Sequence, residues 1–330
     1  MNQKFGLLGC SNVAQKSFFP VLDSIDSAEA SFIGSRSLKK AKLWAGKYNC
    51  DNYGSYDDVI NSDVDAIYNS LPIGLHEEWS IKALKAGKHV LCEKSSTTSY
   101  ASAIKMVNTA RENNKRILEG FAFRFHPQHK KIRELIVSEL GEIQNFYGIY
   151  GFPDPVDDDI RWQKELGGGV FNDMTCYPIC ASRNIFGDNV ESVISHFIID
   201  ERYDVDRSND IMINYKNGKS AHISAGFNNY YQSKYILWGS QGRLTTKRAY
   251  AVPPSYQTSI FLDKDDQIIE QKIEVADQFS IMVDVFSKVI NGETIEPFNF
   301  EKDLVEQAKL MEAIRVSAND KRLVYLSEID

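Results

Sequence analysis

Asp173 and Tyr177 are polar residues whose spacing suits chemistry on a single bound molecule. They stand four residues apart, directly after the glycines 167–169. On an α-helix, four residues rise about 6 Å and return to the same face. Tyr177 can give or take a proton, although a phenol with a pKa of about 10 needs a nearby cation to do so at neutral pH. An N-capping aspartate beside a packed tyrosine produces the same spacing.

Lys94 is a candidate for that cation. It follows Glu93 at the end of the apolar run 88–93, which predicts a buried strand. Open parallel sheets bind ligands outside the carboxyl ends of their strands, so an amine there can donate to a developing oxyanion. Alternatively, Lys94 is an ordinary surface cation at a strand end.

Pro178 predicts where the helix carrying Asp173 and Tyr177 begins. Because proline is tolerated in the first turn of a helix and not deeper, we expect the helix to begin near residues 173–175. The preceding glycines 167–169 would let the backbone pass close to a bound ligand.

The sequence pattern in the first third of the chain predicts the strands and helices that position Lys94. Apolar runs and helical periodicities alternate there, which is typical of a doubly wound parallel sheet. The predicted strands are 5–9, 30–34, 65–71 and 88–93, and the predicted helices are 12–23, 38–48, 77–86 and 99–114.

After residue 121 the pattern changes to strands joined by short turns. Lys216–Lys219 is one such turn, and only antiparallel strands accept so short a connection. We therefore predict two domains, 1–121 and 122–330, the second an α+β domain with a largely antiparallel open sheet. Its predicted strands are 142–151, 190–200, 210–215, 220–227, 235–239 and 257–262, with closing helices at 277–291 and 300–319.

Composition excludes several classes of protein. The 330 residues are 43% hydrophobic and 25% charged, and the net charge of −7 comes without a long basic run, so nucleic acid is an unlikely partner. No apolar stretch approaches the roughly 20 residues of a membrane span. The five cysteines are odd in number and include no CxxC pair, which favours a reducing cytoplasm and predicts no metal site.

The sequence GLLGCSNVA at residues 6–14 predicts a dinucleotide-binding turn. A small residue at each fingerprint position permits a tight turn and lets backbone amides at a helix start approach a pyrophosphate. Ser11 stands where the fingerprint has its second glycine. The predicted contacts are Gly9, Cys10, Ser11, Asn12 and Val13.

Ser35 and Arg36 end the second predicted strand, where an NAD site usually has an acidic residue. A hydroxyl followed by a guanidinium suits a 2′-phosphate, so we predict NADP(H) as the preferred cofactor, with NAD(H) as a second choice. The alternative explanation is that Arg36 is a solvated surface residue. Leu71, Pro72, His76, Glu93 and Lys94 complete the predicted cofactor contacts, with His76 also explained as a helix cap.

Several motifs together resemble the Gfo/Idh/MocA family of NAD(P)-dependent oxidoreductases, nearly from end to end. Besides the glycine turn and AGKHVLCEK at 86–94, they are EGFAFRFHPQ at 119–128, ELGGGVFNDMTCYPI at 165–179 and WGSQGRL at 238–244. The RFHP segment resembles the branch with glucose-fructose oxidoreductase, dimeric dihydrodiol dehydrogenase and deoxysugar 3-ketoreductases.

The resemblance implies a Rossmann domain, hydride transfer to or from a sugar or nucleotide-linked sugar, and a homodimer or homotetramer. Its catalytic lysine, aspartate and histidine fall on Lys94, Asp173 and Tyr177, so a tyrosine replaces the commoner histidine. Ser95 also replaces the proline that usually follows the lysine. Predicted substrate contacts, each also explained as structural, are Arg124, His126, Arg161, Trp162 and Asn172.

Two other functions occur on this scaffold among relatives. One is a cofactor-sensing regulator, which the presence of both Lys94 and Asp173 disfavours. The other is an NAD-dependent glycosidase, for which Ser35 and Arg36 are the wrong signature. An oxidoreductase acting on a sugar is therefore the leading hypothesis.

Overall fold

The computed structural model describes residues 2–295 and 299–330. It divides into two compact units, one formed by Met1–Ala122 and Phe279–Val305 and the other by Phe123–Gln278 and Glu306–Asp330. The predicted boundary near residue 121 left residues 279–305 in the second domain. Two aromatic side chains of this range pack in the first unit, where Phe286 lies 6.3 Å from Phe5 and 6.2 Å from Phe300, ring centre to ring centre.

The first unit contains a parallel sheet of six strands in the order β3-β2-β1-β4-β5-β6. This is the strand order of the dinucleotide-binding doubly wound fold, with its reversal point between β1 and β4. The strands are β1 Gln3–Leu8, β2 Ala28–Gly34, β3 Asn52–Gly54, β4 Ala66–Asn69, β5 His89–Cys92 and β6 Ile117–Glu119.

The helices of the first unit are α1 Phe19–Leu22, preceded by the π-turn Ala14–Phe18, then α2 Leu38–Lys47, α3 Tyr56–Ile60, α4 His76–Lys85 and α5 Tyr100–Glu112. All of these except α3 overlap predicted helices. Near the C-terminus α8 spans Gln278–Ile290 and α9 spans Phe300–Asp320. The predicted parallel α/β fold is confirmed.

The second unit contains a mixed sheet of nine strands in the order β14-β13-β12-β11-β7-β10-β9-β8-β15. Among the strand pairs formed by the described residues of this sheet, only β7 and β10 are parallel, so the prediction of a largely antiparallel sheet is confirmed. The strands are β7 Ile143–Gly151, β8 Val190–Asp200, β9 Val205–Tyr215, β10 Ser220–Gly226, β11 Gln232–Gly239, β12 Arg243–Thr246, β13 Ser259–Lys264, β14 Gln267–Lys272 and β15 Val324–Tyr325.

Two helices of the second unit bear on the site. α6 spans Pro127–Leu135, and α7 spans Cys176–Phe186 directly after the π-turn Phe171–Thr175. α7 packs on one face of the sheet. Its Pro178 lies so close to Gly148 of β7 that it would touch a side chain added at that glycine. The other face exposes large apolar side chains, among them Ile194, Ile198 and Trp238.

Within the described ranges, no helix combines the length and the apolar character needed to cross a bilayer.

Candidate active site

Asp173 and Tyr177 lie in one continuous helical segment, with Asp173 in the π-turn Phe171–Thr175 and Tyr177 in the first turn of α7. The predicted helix start near residues 173–175 agrees with α7, which begins at Cys176 and has Pro178 in its first turn, while the π-turn continues helical backbone back to Phe171. In a π-turn the carbonyl oxygen of residue i accepts the N–H of residue i+5. Pro178 stands five residues after Asp173 and has no N–H, so it cannot donate to the Asp173 carbonyl. The Cys176 thiol instead lies 3.7 Å from the Asp173 carbonyl oxygen.

Arg161 holds the Asp173 carboxylate. Its Nε donates to Asp173 Oδ2 at 2.6 Å, while its Nη1 lies 3.1 Å from Asp159 Oδ1. The charge of Asp173 is the main reason that the pKa of Arg161 is raised. Arg161 therefore stabilises the ionised form of Asp173 and orients it. The predicted contact of Arg161 with substrate stays a prediction.

Tyr177 stands among aromatic rings that fix its orientation. Its ring centre lies 5.4 Å from that of Tyr150, at an angle of 78°, and 5.8 Å from those of Phe123 and Tyr250. Edge-to-face and tilted contacts of this kind are favourable and directional. Tyr177 itself is half-buried, so its ring is held while part of it remains accessible.

The glycines 167–169 are explained by the protein's own contacts. Gly167 adopts a left-handed conformation with φ of 81°, and a Cβ at Gly168 would lie 2.6 Å from the carbonyl oxygen of Arg161. Gly169 has a φ of 103°, and a Cβ there would collide with Asp206 Oδ1. These contacts require glycine whether or not a ligand approaches.

Two predicted substrate residues of the second unit are buried and contact other residues of the protein, so their contacts with substrate stay predictions. Trp162 is 6% exposed, stacks on Tyr203 at 4.6 Å and meets Phe227 edge-on at 5.0 Å. His126 is 2% exposed, and its Nδ1 accepts the Gln128 N–H at 3.2 Å, which caps α6. Burial lowers the pKa of His126 to about 4, so the ring is neutral at pH 7.

The other two predicted substrate residues occupy turns. Asn172 lies in the π-turn, where its Nδ2 donates to the Gly167 carbonyl at 3.1 Å and its Oδ1 accepts from Arg315 at 3.2 Å. Arg124 lies in the 3₁₀ turn Ala122–Phe125, just before α6. Their contacts with substrate stay predictions.

In the first unit, Lys94 lies in the loop after β5. Hydrogen bonds to the residues on both sides of Lys94 hold this loop in place. Tyr68 donates to Glu93 Oε1 at 2.7 Å, and Glu119 Oε1 accepts the Ser96 N–H at 2.8 Å. Burial raises the pKa of Glu93. The peptide bond between Lys94 and Ser95 is cis.

His76 ties two loops together from a buried position. Its Nδ1 lies 2.9 Å from the carbonyl oxygen of Ser95, and its Nε2 lies 2.7 Å from that of Leu71. Burial is the main reason that the pKa of His76 is lowered, to about 4. Because both ring nitrogens already face backbone carbonyls, His76 positions the loop after Lys94, and the predicted cofactor contact of its ring stays untested.

The glycine turn after β1 has the shape that the sequence predicted. Gly9 has a φ of 91°, which favours glycine. Ser11 Oγ accepts the Ala14 N–H at 3.2 Å and donates to Ser70 at 2.9 Å, so this serine caps the helix that starts there. The first N–H groups of a helix have no partner within it, which suits Cys10, Asn12 and Val13 to a pyrophosphate.

The end of β2 gathers cationic side chains near that turn. Arg36 is exposed and lies near the phenol of Tyr56, while Lys40 Nζ donates to the Cys10 carbonyl at 3.0 Å. Ser35 is buried, and its Oγ accepts the Ser37 N–H at 3.2 Å. Lys40 was not predicted, although it stands four residues after Arg36 where α2 begins. A guanidinium and an amine at this position fit a 2′-phosphate.

The fold and these residues define a class of protein. A family model for the NAD-binding Rossmann fold of the GFO/IDH/MocA oxidoreductases matches residues 3–121, and a model for the GFO/IDH/MocA C-terminal domain matches residues 129–245. The chain belongs to this family and is an oxidoreductase.

Particular relatives match almost the whole chain. It is 33% identical to a dTDP-3,4-didehydro-2,6-dideoxy-α-D-glucose 3-reductase of Saccharopolyspora spinosa, over 94% of this chain and 96% of that protein. It is 29% identical to D-xylose 1-dehydrogenase (NADP(+)) 2 of Haloferax volcanii, over 98% and 99%. KijD10, a 3-ketoreductase of Actinomadura kijaniata solved with NADP and TDP-benzene, superimposes with a TM-score of 0.92 at 31% identity, over 96% and 98%.

Proposed function

We propose that this protein transfers a hydride between NADP(H) and a carbonyl or hydroxyl carbon of a nucleotide-linked sugar, acting as a ketoreductase. The observation that carries the proposal is end-to-end similarity to dTDP-sugar 3-reductases in a chain that has both Lys94 and the Asp173 and Tyr177 pair.

Residues of the first unit hold the cofactor. The helix start at Cys10, Asn12 and Val13 takes the pyrophosphate, and Arg36 and Lys40 take the 2′-phosphate. NADP(H), when bound, supplies or accepts the hydride. Ser35 offers a hydroxyl in place of a carboxylate that would repel the phosphate.

Replacing both Arg36 and Lys40 by alanine should weaken NADPH far more than NADH, because hydrogen bonds to a charged group contribute about 1.5–3 kcal/mol and only NADPH has the 2′-phosphate. Because two such groups are removed, we expect the Kd for NADPH to rise by at least about 100-fold and that for NADH to change less than about threefold. Fluorescence titration measures both. Lys39→Ala, an exposed neighbour on α2, is the matched control; equal losses for the two cofactors would contradict the assignment.

Lys94 and Tyr177 act on the reacting oxygen of the sugar. Tyr177 gives a proton to that oxygen during reduction and takes it back during oxidation, while the Lys94 ammonium donates to the oxygen as negative charge develops. The positive charge of Lys94 also favours the phenolate of Tyr177. Asp173, held by Arg161, orients a substrate hydroxyl by accepting its hydrogen bond.

NADPH oxidation followed by absorbance tests the proposed function. The panel contains dTDP-linked keto sugars and the corresponding keto sugars without nucleotide. We expect turnover of the nucleotide-linked compounds, with kcat/KM at least about tenfold above that of the free sugars. NADPH binding without turnover of any compound would instead favour a cofactor-sensing regulator.

The exposed face of the second unit's sheet pairs two copies of this chain, and the protein is a dimer or tetramer. Ile194, Ile198 and Trp238 are 43–56% exposed on strands whose other face is buried, and large exposed apolar patches mark association sites. Sedimentation should give a dimer or larger for the natural chain and a lighter species for Trp238→Asp. Leu43→Asp, at an exposed position of α2, should leave the mass unchanged. A monomeric natural chain would refute this assembly.

A further inference from the structure

Asp206, near the start of β9, contacts the helical segment that carries Asp173 and Tyr177. Its Oδ2 accepts the Phe171 N–H at 2.6 Å, at the first residue of the π-turn. The first N–H groups of a helix lack internal partners and carry partial positive charge, so a carboxylate there satisfies one of them and stabilises the segment. Asp206 is 33 residues from Asp173 in sequence and is not part of any motif described above.

A second hydrogen-bonded path links Asp206 to the end of the same π-turn. Asn209 is 1% exposed, and its Nδ2 donates to Asp206 Oδ2 at 2.7 Å. Its Oδ1 accepts a hydrogen bond from the Thr175 hydroxyl. Asp206 and Asn209 therefore hold both ends of the five-residue turn in which Asp173 lies.

The same carboxylate fixes the approach to the turn. Gly169 packs against Asp206 Oδ1 so closely that no other residue fits, and its φ of 103° excludes most side chains as well. The carboxylate therefore contacts the glycine segment on one side and the helix start on the other.

Arg315 of α9 is the cation that faces Asp206. Its Nη2 donates to Asn172 Oδ1 at 3.2 Å, and its guanidinium carbon lies 5.2 Å from the centre of the Phe171 ring. Glu312, 2.9 Å away, pairs with it. Arg315 thus contacts two residues of the π-turn while it balances the charge of Asp206.

We propose that Asp206 is a positioning residue, whose carboxylate holds the glycine segment and the π-turn so that Asp173 and Tyr177 are presented in the geometry that the reaction needs. This inference rests on the proposed function for its catalytic consequence. Its structural part, that the carboxylate immobilises residues 169–175, stands independently of the substrate.

The ionisation of Asp206 gives the inference a pH signature. Burial is the main reason that its pKa is raised, to about 6, against the hydrogen bonds from Phe171 and Asn209 and the charge of Arg315, which lower it. Above about pH 6 the carboxylate accepts both N–H donors. Below that pH it is protonated and binds them less strongly, so activity should fall as the pH drops through about 6.

Asp206→Asn tests the catalytic consequence, because it keeps the size of the side chain and removes the charge. We expect kcat at pH 8 to fall by about tenfold with the KM for NADPH unchanged, and the decline of activity below pH 6 to disappear. Asp204→Asn is the matched control, since Asp204 lies two residues away, pairs with exposed Lys164 and has a φ of 50° that asparagine tolerates. Unchanged kcat and an unchanged pH profile in Asp206→Asn would overturn the proposal.

Hydrogen exchange separates this inference from the proposed function. At pH 8, protection of amides 169–177 should be lower in Asp206→Asn than in the natural chain, while that of α6 is the same in both. The measurement needs no substrate. Equal protection of 169–177 in the two chains would refute the role of Asp206, whereas lower protection in the variant of a protein that turns over no sugar would refute only the proposed function.

Discussion

Lys94→Ala is expected to lower kcat by about 10²–10³-fold, the effect of removing one donor from a developing oxyanion. The affinity for NADPH should change little, because the cofactor is held by the glycine turn and by Arg36 and Lys40. Stopped-flow measurement of NADPH oxidation gives the first quantity, and fluorescence titration gives the second.

Lys85→Ala is the control for this change, since Lys85 is an exposed lysine near the end of α4 in the same unit. It should keep the natural kcat. If Lys94→Ala retained more than about a tenth of the natural kcat, Lys94 would be a surface cation at a strand end, the alternative explanation of its position.

Tyr177→Phe is the second change with a large expected effect. It keeps the ring contacts with Tyr150, Phe123 and Tyr250 and removes only the proton donor, so kcat should fall by about 10²–10⁴-fold without loss of stability. Tyr250→Phe is the matched control, because Tyr250 belongs to the same cluster and its hydroxyl bonds the Lys234 carbonyl at 3.4 Å. Equal activities of the two variants would remove Tyr177 from the chemistry.

The two side chains should also show coupling. Residues that act as a unit on one oxygen give strongly non-additive losses, so the double variant should be little worse than the poorer single variant. Losses that multiply would indicate that Lys94 and Tyr177 act on different atoms or in different steps.

The sequence predicted the parts of the fold that have long, periodic signals. Apolar runs such as those of β1 and β5 identified buried strands, and the change at residue 121 identified the antiparallel sheet. β3 and α3 were not predicted because Asn52–Gly54 has two exposed residues of three and Tyr56–Ile60 is too short for a periodicity. The capping box at Ser55, which starts α3, was the local signal that could have revealed it.

Residues of the candidate site could be predicted where a strand end or a motif marks them, as with Lys94, Gly9 and Arg36. The partners that hold the residues of the site in place could not be predicted. Arg161 binds Asp173 from 12 residues away, and His76 binds Ser95 from 19 residues away, through contacts that only the folded chain creates. Their residue types alone are equally typical of a surface salt bridge and a helix cap.

The requirement for glycine at Gly167–Gly169 was predicted correctly, but the structure gives a different reason for it. The glycines predicted a close approach, and the structure gives one, although the groups that approach are the Arg161 carbonyl and the Asp206 carboxylate. Both come from segments outside the motif. Local sequence therefore indicated that a side chain is excluded and could not indicate what excludes it.

Deuterium transfer tests the central claim most directly. The protein would be incubated with NADPH deuterated on the transferred face of C4 and with a dTDP-linked keto sugar, and the product analysed by mass spectrometry and NMR. We expect one deuterium on the carbon that was the carbonyl, in the natural chain and, much more slowly, in Tyr177→Phe. A reduced product without deuterium, or no product from any nucleotide-linked keto sugar while NADPH stays bound, would contradict it.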